Sequence, residues 1–178
     1  MTNELITNFK SIIYQEMHES HGNWSTEEYC DLILNIILIV YLSNEFKKIY
    51  LELMNEREGF EEDPDVYSMY NLIYLPPQSR WDNIMRNIEN KDIKEIFYNA
   101  VEYIKHFDSS LKDIVRPFAI FKIDKFALKT FLYIFKDFIY DNEFENELWI
   151  KIYKSFLTDF AILNEEYDLL IEKINNII

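Results

Sequence analysis

The side chains best suited to chemistry near the N-terminus are His18, His21 and Cys30. The HESH spacing puts both imidazoles on one helix face, where they could hold a metal ion. Metal sites need three or four ligands, and no second cluster is evident, so surface or capping histidines are the favoured interpretation. Cys30 has no sequence-visible activating partner, which favours a buried structural thiol over a nucleophile.

A Pro-Pro pair lies in the segment YLPPQSRW, residues 74–81. In the catalytic motif of amino-methyltransferases, a polar residue before the prolines holds the target amino group and an aromatic residue after them stacks on the flipped base. Leu75 and Gln78 occupy these positions here, so the catalytic interpretation fails. The chain's two glycines, Gly22 and Gly59, lie in helix connections rather than in a cofactor-binding turn. We therefore expect no catalytic residue and no cofactor-binding residue in this chain.

The same segment has a simpler structural interpretation. Two prolines force an extended backbone, and Ser79 is placed to cap a helix that begins with Arg80 and Trp81. Such a rigid corner suits a protein interface, because Arg and Trp are enriched at binding hot spots. In the alternative, Trp81 packs against the bundle and Arg80 pairs with an acid. The candidate interface residues are Pro76, Pro77, Arg80, Trp81 and Trp24.

Helical periodicity dominates the rest of the chain and predicts an all-α bundle forming a single domain over residues 1–178. The predicted helices cover residues 5–17, about 26–56, 93–107, about 125–140 and a last long pattern that begins after Asn142. Ser25 and Glu28 form a capping box, and Asp124 and Asn142 are further predicted caps. NLIYL and FAIFKI are the two segments that could form brief strands.

The composition limits the classes of protein to which this chain can belong. The 178 residues are 49% hydrophobic, enough for a core, and the longest apolar run, 32–42, is shorter than the roughly 20 residues of a membrane span. The N-terminus lacks the pattern of a signal peptide. A single cysteine fits a reducing cytosol, so we expect a cytoplasmic protein without membrane contact.

The net charge is −14, with acids concentrated in residues 52–65 and 141–168. Such a surface repels phosphate, so the chain alone is not expected to bind nucleic acid tightly. The acidic stretches read first as solvated helix faces and loops. A docking surface for a basic partner, or mimicry of DNA charge, is the sharper alternative.

Four blocks in order resemble the N-terminal helical domain of the modification (DNA adenine methyltransferase) subunit of type I restriction–modification systems. They are the segment 74–81, the run from Gly22 through Tyr41-Leu42-Ser43 to Phe46, DSSLKDIVRP at 108–117 and IDKFALKTFLYIF at 123–135. The similarity covers residues 5–161. A glycine usual in the second block is Asn35 here, and lysines usual there are Cys30 and Val40. The family's following Gly-rich cofactor segment is replaced by AILNEEYDLLIEKINNII, so the sequence reads either as an excised domain or as a naturally short relative.

The resemblance implies a non-catalytic domain within a larger assembly. The family's full-length subunit binds S-adenosylmethionine and methylates adenine N6, together with a specificity subunit that reads the DNA. This domain is then expected to contact the specificity subunit and the catalytic methyltransferase domain, to help close the complex around DNA, and to meet DNA only indirectly. A stand-alone acidic adaptor or anti-restriction decoy that copies the domain is the alternative, and an unrelated helical scaffold is a third class.

Overall fold

The computed structural model describes residues 2–20, 24–56, 59–69, 73–107, 112, 114–116, 122–141 and 146–161. Within these residues the chain forms α-helices, one short 3-10 helix and no strand, which confirms the predicted all-α fold. The helices are α1 (Thr2–Glu19), α2 (Thr26–Glu56), α3 (Pro64–Met69), α4 (Trp81–Arg86), α5 (Ile93–Phe107), α6 (Lys125–Asp141) and α7 (Asn146–Ala161), with the 3-10 helix at Pro77–Ser79.

α2 is the central helix of the bundle, and the predicted capping box starts it. The Ser25 N–H donates to Glu28 Oε2 at 2.8 Å, and the Glu28 N–H donates back to Ser25 Oγ at 3.2 Å. Every residue from 29 to 43 is buried. The helix is long and apolar enough to cross a membrane, but 89% of its most apolar stretch is covered by the rest of the protein. Its apolarity on all sides is accounted for by its central position.

Aromatic rings join α1, α6 and α7 into one core. Phe9 of α1 meets Phe135, Trp149 and Phe156 edge-on, with ring centroids 5.1, 6.5 and 6.3 Å away. Edge-to-face pairs at these distances are favourable beyond the burial of their surface. The rings of Trp149 and Phe156 are both fully buried in this core.

The helices differ from the sequence prediction in the acidic stretch after α2. The acidic stretch after α2, predicted as a loop, contains α3, which begins at Pro64 as its first residue, a position where the missing proline N–H is no loss. Asp63 Oδ1 accepts the Asp65 N–H at 3.0 Å and caps this helix. The last helix is described from Asn146, so the predicted cap at Asn142 and the pattern beyond residue 161 lie outside the described residues.

The two predicted short strands are not formed where the structure describes them. Residues 73–75 of NLIYL lead into the proline corner without pairing to another strand. Residues 118–121 of FAIFKI lie outside the described residues. Asp124 caps α6 as predicted, because its Oδ2 accepts the N–H groups of Phe126 and Ala127 at 2.7 and 3.2 Å.

Candidate functional site

The Pro-Pro pair forms a tight corner between an extended, unpaired segment of chain and α4. Pro76 is extended, with φ −66° and ψ 155°, and Pro77 opens the 3-10 helix. The Ser79 N–H donates to the Pro76 carbonyl at 2.9 Å and closes the turn. Pro76 is buried while Pro77 and Gln78 are exposed. The corner therefore presents only its tip, Pro77-Gln78, to solvent.

The prediction that Ser79 caps α4 is wrong. Ser79 is buried, and its Oγ has no hydrogen-bond partner among the described residues. The N-terminus of α4 is instead held from another helix, because the Trp81 N–H donates to Ser43 Oγ of α2 at 2.8 Å. The residue that caps α4 therefore comes from a position 38 residues earlier in the chain.

Arg80 is bound inside the corner by three kinds of contact. Its Nε–H donates to the Leu75 carbonyl at 2.8 Å, and its two terminal nitrogens pair with both carboxylate oxygens of Glu62 at 2.8 and 2.6 Å. The guanidinium also lies 4.0 Å from the ring centroid of Phe46 on α2. The hydrogen bond from Arg80 is the main cause that lowers the pKa of the Glu62 carboxyl. Arg80 thereby ties the acidic segment before α3 to the corner.

Trp81 and Trp24 are both buried, with 7% and 8% of their surfaces exposed. Trp81 packs in the bundle and Arg80 pairs with a carboxylate, which is the geometry of the alternative interpretation. Trp24 contacts Tyr29 at the start of α2, whereas the corner contacts Ser43. These two points are about 20 Å apart along the helix. The structure thus brings four of the five candidate interface residues together, and the interface role itself stays a prediction.

A second polar cluster, unforeseen from the sequence, fixes the chain before α6 to α2. The Asn35 side chain donates to the Arg116 carbonyl at 2.9 Å and accepts the Arg116 N–H at 3.0 Å, and the Arg116 Nε–H donates to Asp31 Oδ1 at 2.8 Å. Burial raises the pKa of the Asp31 carboxyl, and the bond from Arg116 only partly offsets this. The sequence signal for this cluster is the pair Asp31 and Asn35, two polar residues one helical turn apart in the apolar part of α2.

The remaining candidate groups offer little chemistry. Cys30 is buried, and burial raises the pKa of its thiol to about 12, so it is a structural residue at neutral pH, as predicted. His18 is exposed on α1, and His21 lies outside the described residues. In the described part of the chain, no three His, Cys, Asp or Glu side chains are grouped to hold a metal ion.

Comparison with known proteins settles the family. Residues 21–133 match the HsdM N-terminal domain family. The chain belongs to this family. The type I restriction enzyme MjaIX methylase subunit of Methanocaldococcus jannaschii is 28% identical over 123 residues, which cover 67% of this chain and 22% of that subunit. The chain thus aligns with about a fifth of the length of this relative, and the resemblance deduced from the four blocks is confirmed.

In this HsdM N-terminal domain, α2 joins the blocks that carry the family resemblance. Ser43 and Phe46, which end one block, hold Trp81 and Arg80 of the proline segment. Asn35 of the same block holds Arg116 of the third. Ser43, Phe46, Arg80 and Trp81, which match the family pattern, are therefore contact residues of one packed unit, and Asn35, which departs from it, adds a contact of the same kind.

Proposed function

We propose that this chain is a non-catalytic domain of a type I modification subunit, a DNA adenine methyltransferase, and that it positions the other parts of the complex. The observation that carries the proposal is the family match over residues 21–133, together with a relative named as a type I methylase subunit. In this proposal the domain contacts the specificity subunit and the catalytic domain, and helps the complex close around DNA. It acts in the cytoplasm.

The Pro-Pro corner supports a structural rather than a catalytic role. In a methyltransferase motif the residues before and after the prolines must face the flipped base. Here Leu75 is 1% exposed and Pro76 is buried, so the first position is turned into the bundle. S-adenosylmethionine binding and methyl transfer are assigned to the catalytic domain of the full-length subunit, and this chain is proposed to bind no cofactor.

The corner also supports an interface, with the roles of its residues divided. Pro77 and Gln78 are exposed at a rigid tip, and a rigid tip loses little conformational entropy on binding. Arg80 and Trp81 support the tip from the side of the bundle. Arg80 bonds to Glu62 of the acidic segment, and Trp81 bonds to Ser43 of α2. The exposed apolar side chains near that segment are Leu51, Met54, Phe60 and Met69.

Association in trans tests the proposal. The chain is mixed with a specificity subunit and a methylase from which the matched N-terminal region has been removed, and binding is measured by calorimetry. We expect a saturable complex, weakened about tenfold by Gln78→Arg together with Pro77→Ala at the tip. The matched control is Gln15→Arg on α1, which should leave the affinity unchanged. A folded chain that binds neither component would overturn the proposal.

The anti-restriction decoy is the second candidate, and the net charge of −14 favours it. A decoy occupies the docking site of the domain that it copies and blocks assembly. It therefore inhibits an intact type I complex, whereas an assembly domain restores a complex that lacks its own copy. In one methylation assay, a decoy should therefore lower methyl transfer by the intact complex, whereas an assembly domain should raise methyl transfer by the truncated complex.

A further inference from the structure

Exposed apolar side chains are concentrated around the end of α2. Among the described residues six large apolar side chains are exposed, and four of them lie between residues 51 and 69. Leu51, Met54 and Phe60 are each about half exposed, and Met69 is 79% exposed. Clustered apolar surface of this kind, unlike single exposed side chains, is typical of a protein interaction site.

The contacts of α3 hold this stretch of chain at one end of the bundle. The Tyr67 ring of α3 stacks on Phe46 of α2, with the ring centroids 4.8 Å apart. The Tyr67 hydroxyl also donates to the Glu61 carbonyl at 2.7 Å, which ties the chain before α3 to the same place. Met54 lies only about 12 Å beyond Phe46 along the axis of α2. The exposed apolar residues of α2 and those of the segment 60–69 therefore belong to the same end of the molecule.

The same stretch carries a strong negative charge. Residues 51–69 contain seven acidic residues and one arginine. Arg80 pairs with Glu62 and so neutralises only one of these carboxylates. Glu52 and Asp65 are exposed and form no ion pair with a described residue. Such a surface attracts cationic groups and repels anionic ones.

The charge selects among the possible occupants of this surface. DNA and an anionic membrane surface are both repelled by it. A second copy of the chain would bring two acidic surfaces together, which like-charge repulsion opposes. A protein segment with basic residues beside an apolar stripe matches both the charge and the exposed apolar side chains.

We propose that the end of α2 and the segment 60–69 bind an amphipathic helix of a protein partner. Its apolar stripe lies on the four exposed apolar side chains, and its lysine or arginine side chains lie beside the carboxylates. A helix presents apolar residues at i, i+3, i+4 and i+7 as one continuous stripe. Two of the four apolar residues are methionines, whose flexible side chains adapt to the surface of a partner. The inference rests on the proposed function, because it gives the chemistry of one contact between this domain and the rest of the complex.

The probe is a helical peptide of leucine and lysine with all of its leucines on one face. The readout is the methyl signals of Met54 and Met69 in a proton–carbon correlation spectrum, with Met17 of α1 as the internal reference. We expect a saturable shift at Met54 and Met69 but not at Met17. A peptide with glutamate in place of lysine should bind at least about tenfold more weakly, and so should a peptide of the same composition with its leucines spread around the helix.

An apolar variant and its control locate the site. Leu51→Ser should weaken binding of the basic peptide about three- to tenfold. Ile12→Ser, the same kind of change at a half-exposed side chain of α1, should have no effect. Equal losses in the two variants would overturn the inference. Shifts of the Met54 and Met69 signals on concentrating the chain without peptide would also overturn it, because they would assign the surface to a second copy.

A charge variant completes the test. Glu52→Gln together with Asp65→Asn should weaken the basic peptide about threefold at moderate ionic strength, where charges more than about 10 Å apart are screened. Glu4→Gln together with Glu19→Gln removes the same charge from exposed positions of α1 and should leave the affinity unchanged. Equal effects of the two double variants, or equal binding of the glutamate peptide, would contradict the inference. If the basic peptide fails to bind while association in trans persists, only this inference falls, and the reverse result removes only the proposed function.

Discussion

At the scale of single residues, two buried serines show how the contribution of a hydroxyl to stability depends on its hydrogen-bond partner. Ser43 Oγ accepts the buried Trp81 N–H, whereas Ser79 Oγ is buried without a partner in the described part of the chain. Removing an acceptor strands a donor, but removing a hydroxyl that bonds to nothing strands no group. The same chemical change should therefore destabilise the protein at Ser43 but not at Ser79.

Ser43→Ala should lower the free energy of unfolding by about 1–3 kcal/mol, because the Trp81 N–H loses its acceptor. Ser79→Ala should leave it unchanged or raise it by up to about 1 kcal/mol. Urea unfolding of the two variants beside the parent chain measures both. Equal destabilisation in the two variants would contradict the assignment of the α4 cap to Ser43.

Arg80→Ala removes a bidentate pair, a backbone bond and a stacked ring contact at a side chain that is 19% exposed. Since Glu62 is half exposed and solvent screens that pair, we expect a loss of about 2 kcal/mol, or roughly 4–8 °C in melting temperature. Arg80→Lys keeps the charge but not the planar guanidinium. Its stability should therefore lie between that of the parent chain and that of Arg80→Ala. Arg86→Ala, an exposed arginine on α4, is the control and should fall within about 0.5 kcal/mol of the parent.

The Arg80–Glu62 pair also predicts a pH dependence. A carboxyl whose pKa is lowered by folding stabilises the native state above its unfolded pKa, and this contribution is lost as pH falls through the folded pKa. The stability difference between the parent and Glu62→Gln should therefore be largest near neutral pH and shrink as the pH falls below the ordinary carboxyl range. Glu52→Gln, at an exposed carboxylate on α2, is the control. A difference that grows on acidification would show that the pair does not hold the segment.

At the scale of elements, helix type and extent followed from local patterns, while the contacts that fix the loops did not. α2, α5 and α6 lie where periodicity and caps predicted them, because those signals act over a few residues. The bonds from Asn35 to Arg116 span 81 residues, and the bond from Trp81 to Ser43 spans 38. A polar residue such as Asn35 in an apolar run indicates that a buried partner exists, but no local pattern in the sequence identifies a partner so far along the chain.

The Asn35 contact gives a prediction at this scale. Asn35→Ala removes both bonds to the Arg116 backbone and should cost about 2 kcal/mol. The amide of Arg116 should also exchange with solvent markedly faster, since the segment before α6 loses its attachment to α2. Asn44→Ala, the same change on the same helix, is the control. Unchanged exchange at Arg116 would argue against this attachment.

At the scale of the whole molecule, the net charge gives a prediction about DNA binding. A net charge of −14 repels the DNA backbone, so the chain alone should give no detectable complex with a duplex of about 30 base pairs at physiological salt. Under the proposed function the domain has no need for such contact, because reading the DNA is assigned to a specificity subunit. The single-domain organisation over residues 1–178 stays a prediction.

The most direct test of the account is transfer of labelled methyl groups from S-adenosylmethionine to target DNA in a reconstituted type I complex. The methylase subunit in this complex lacks the region matched by residues 21–133. The account predicts no transfer by the chain alone, little by the truncated complex, and a large, saturable rise when the chain is added in trans. Transfer by the chain alone, or inhibition of an intact complex without rescue of the truncated one, would contradict it.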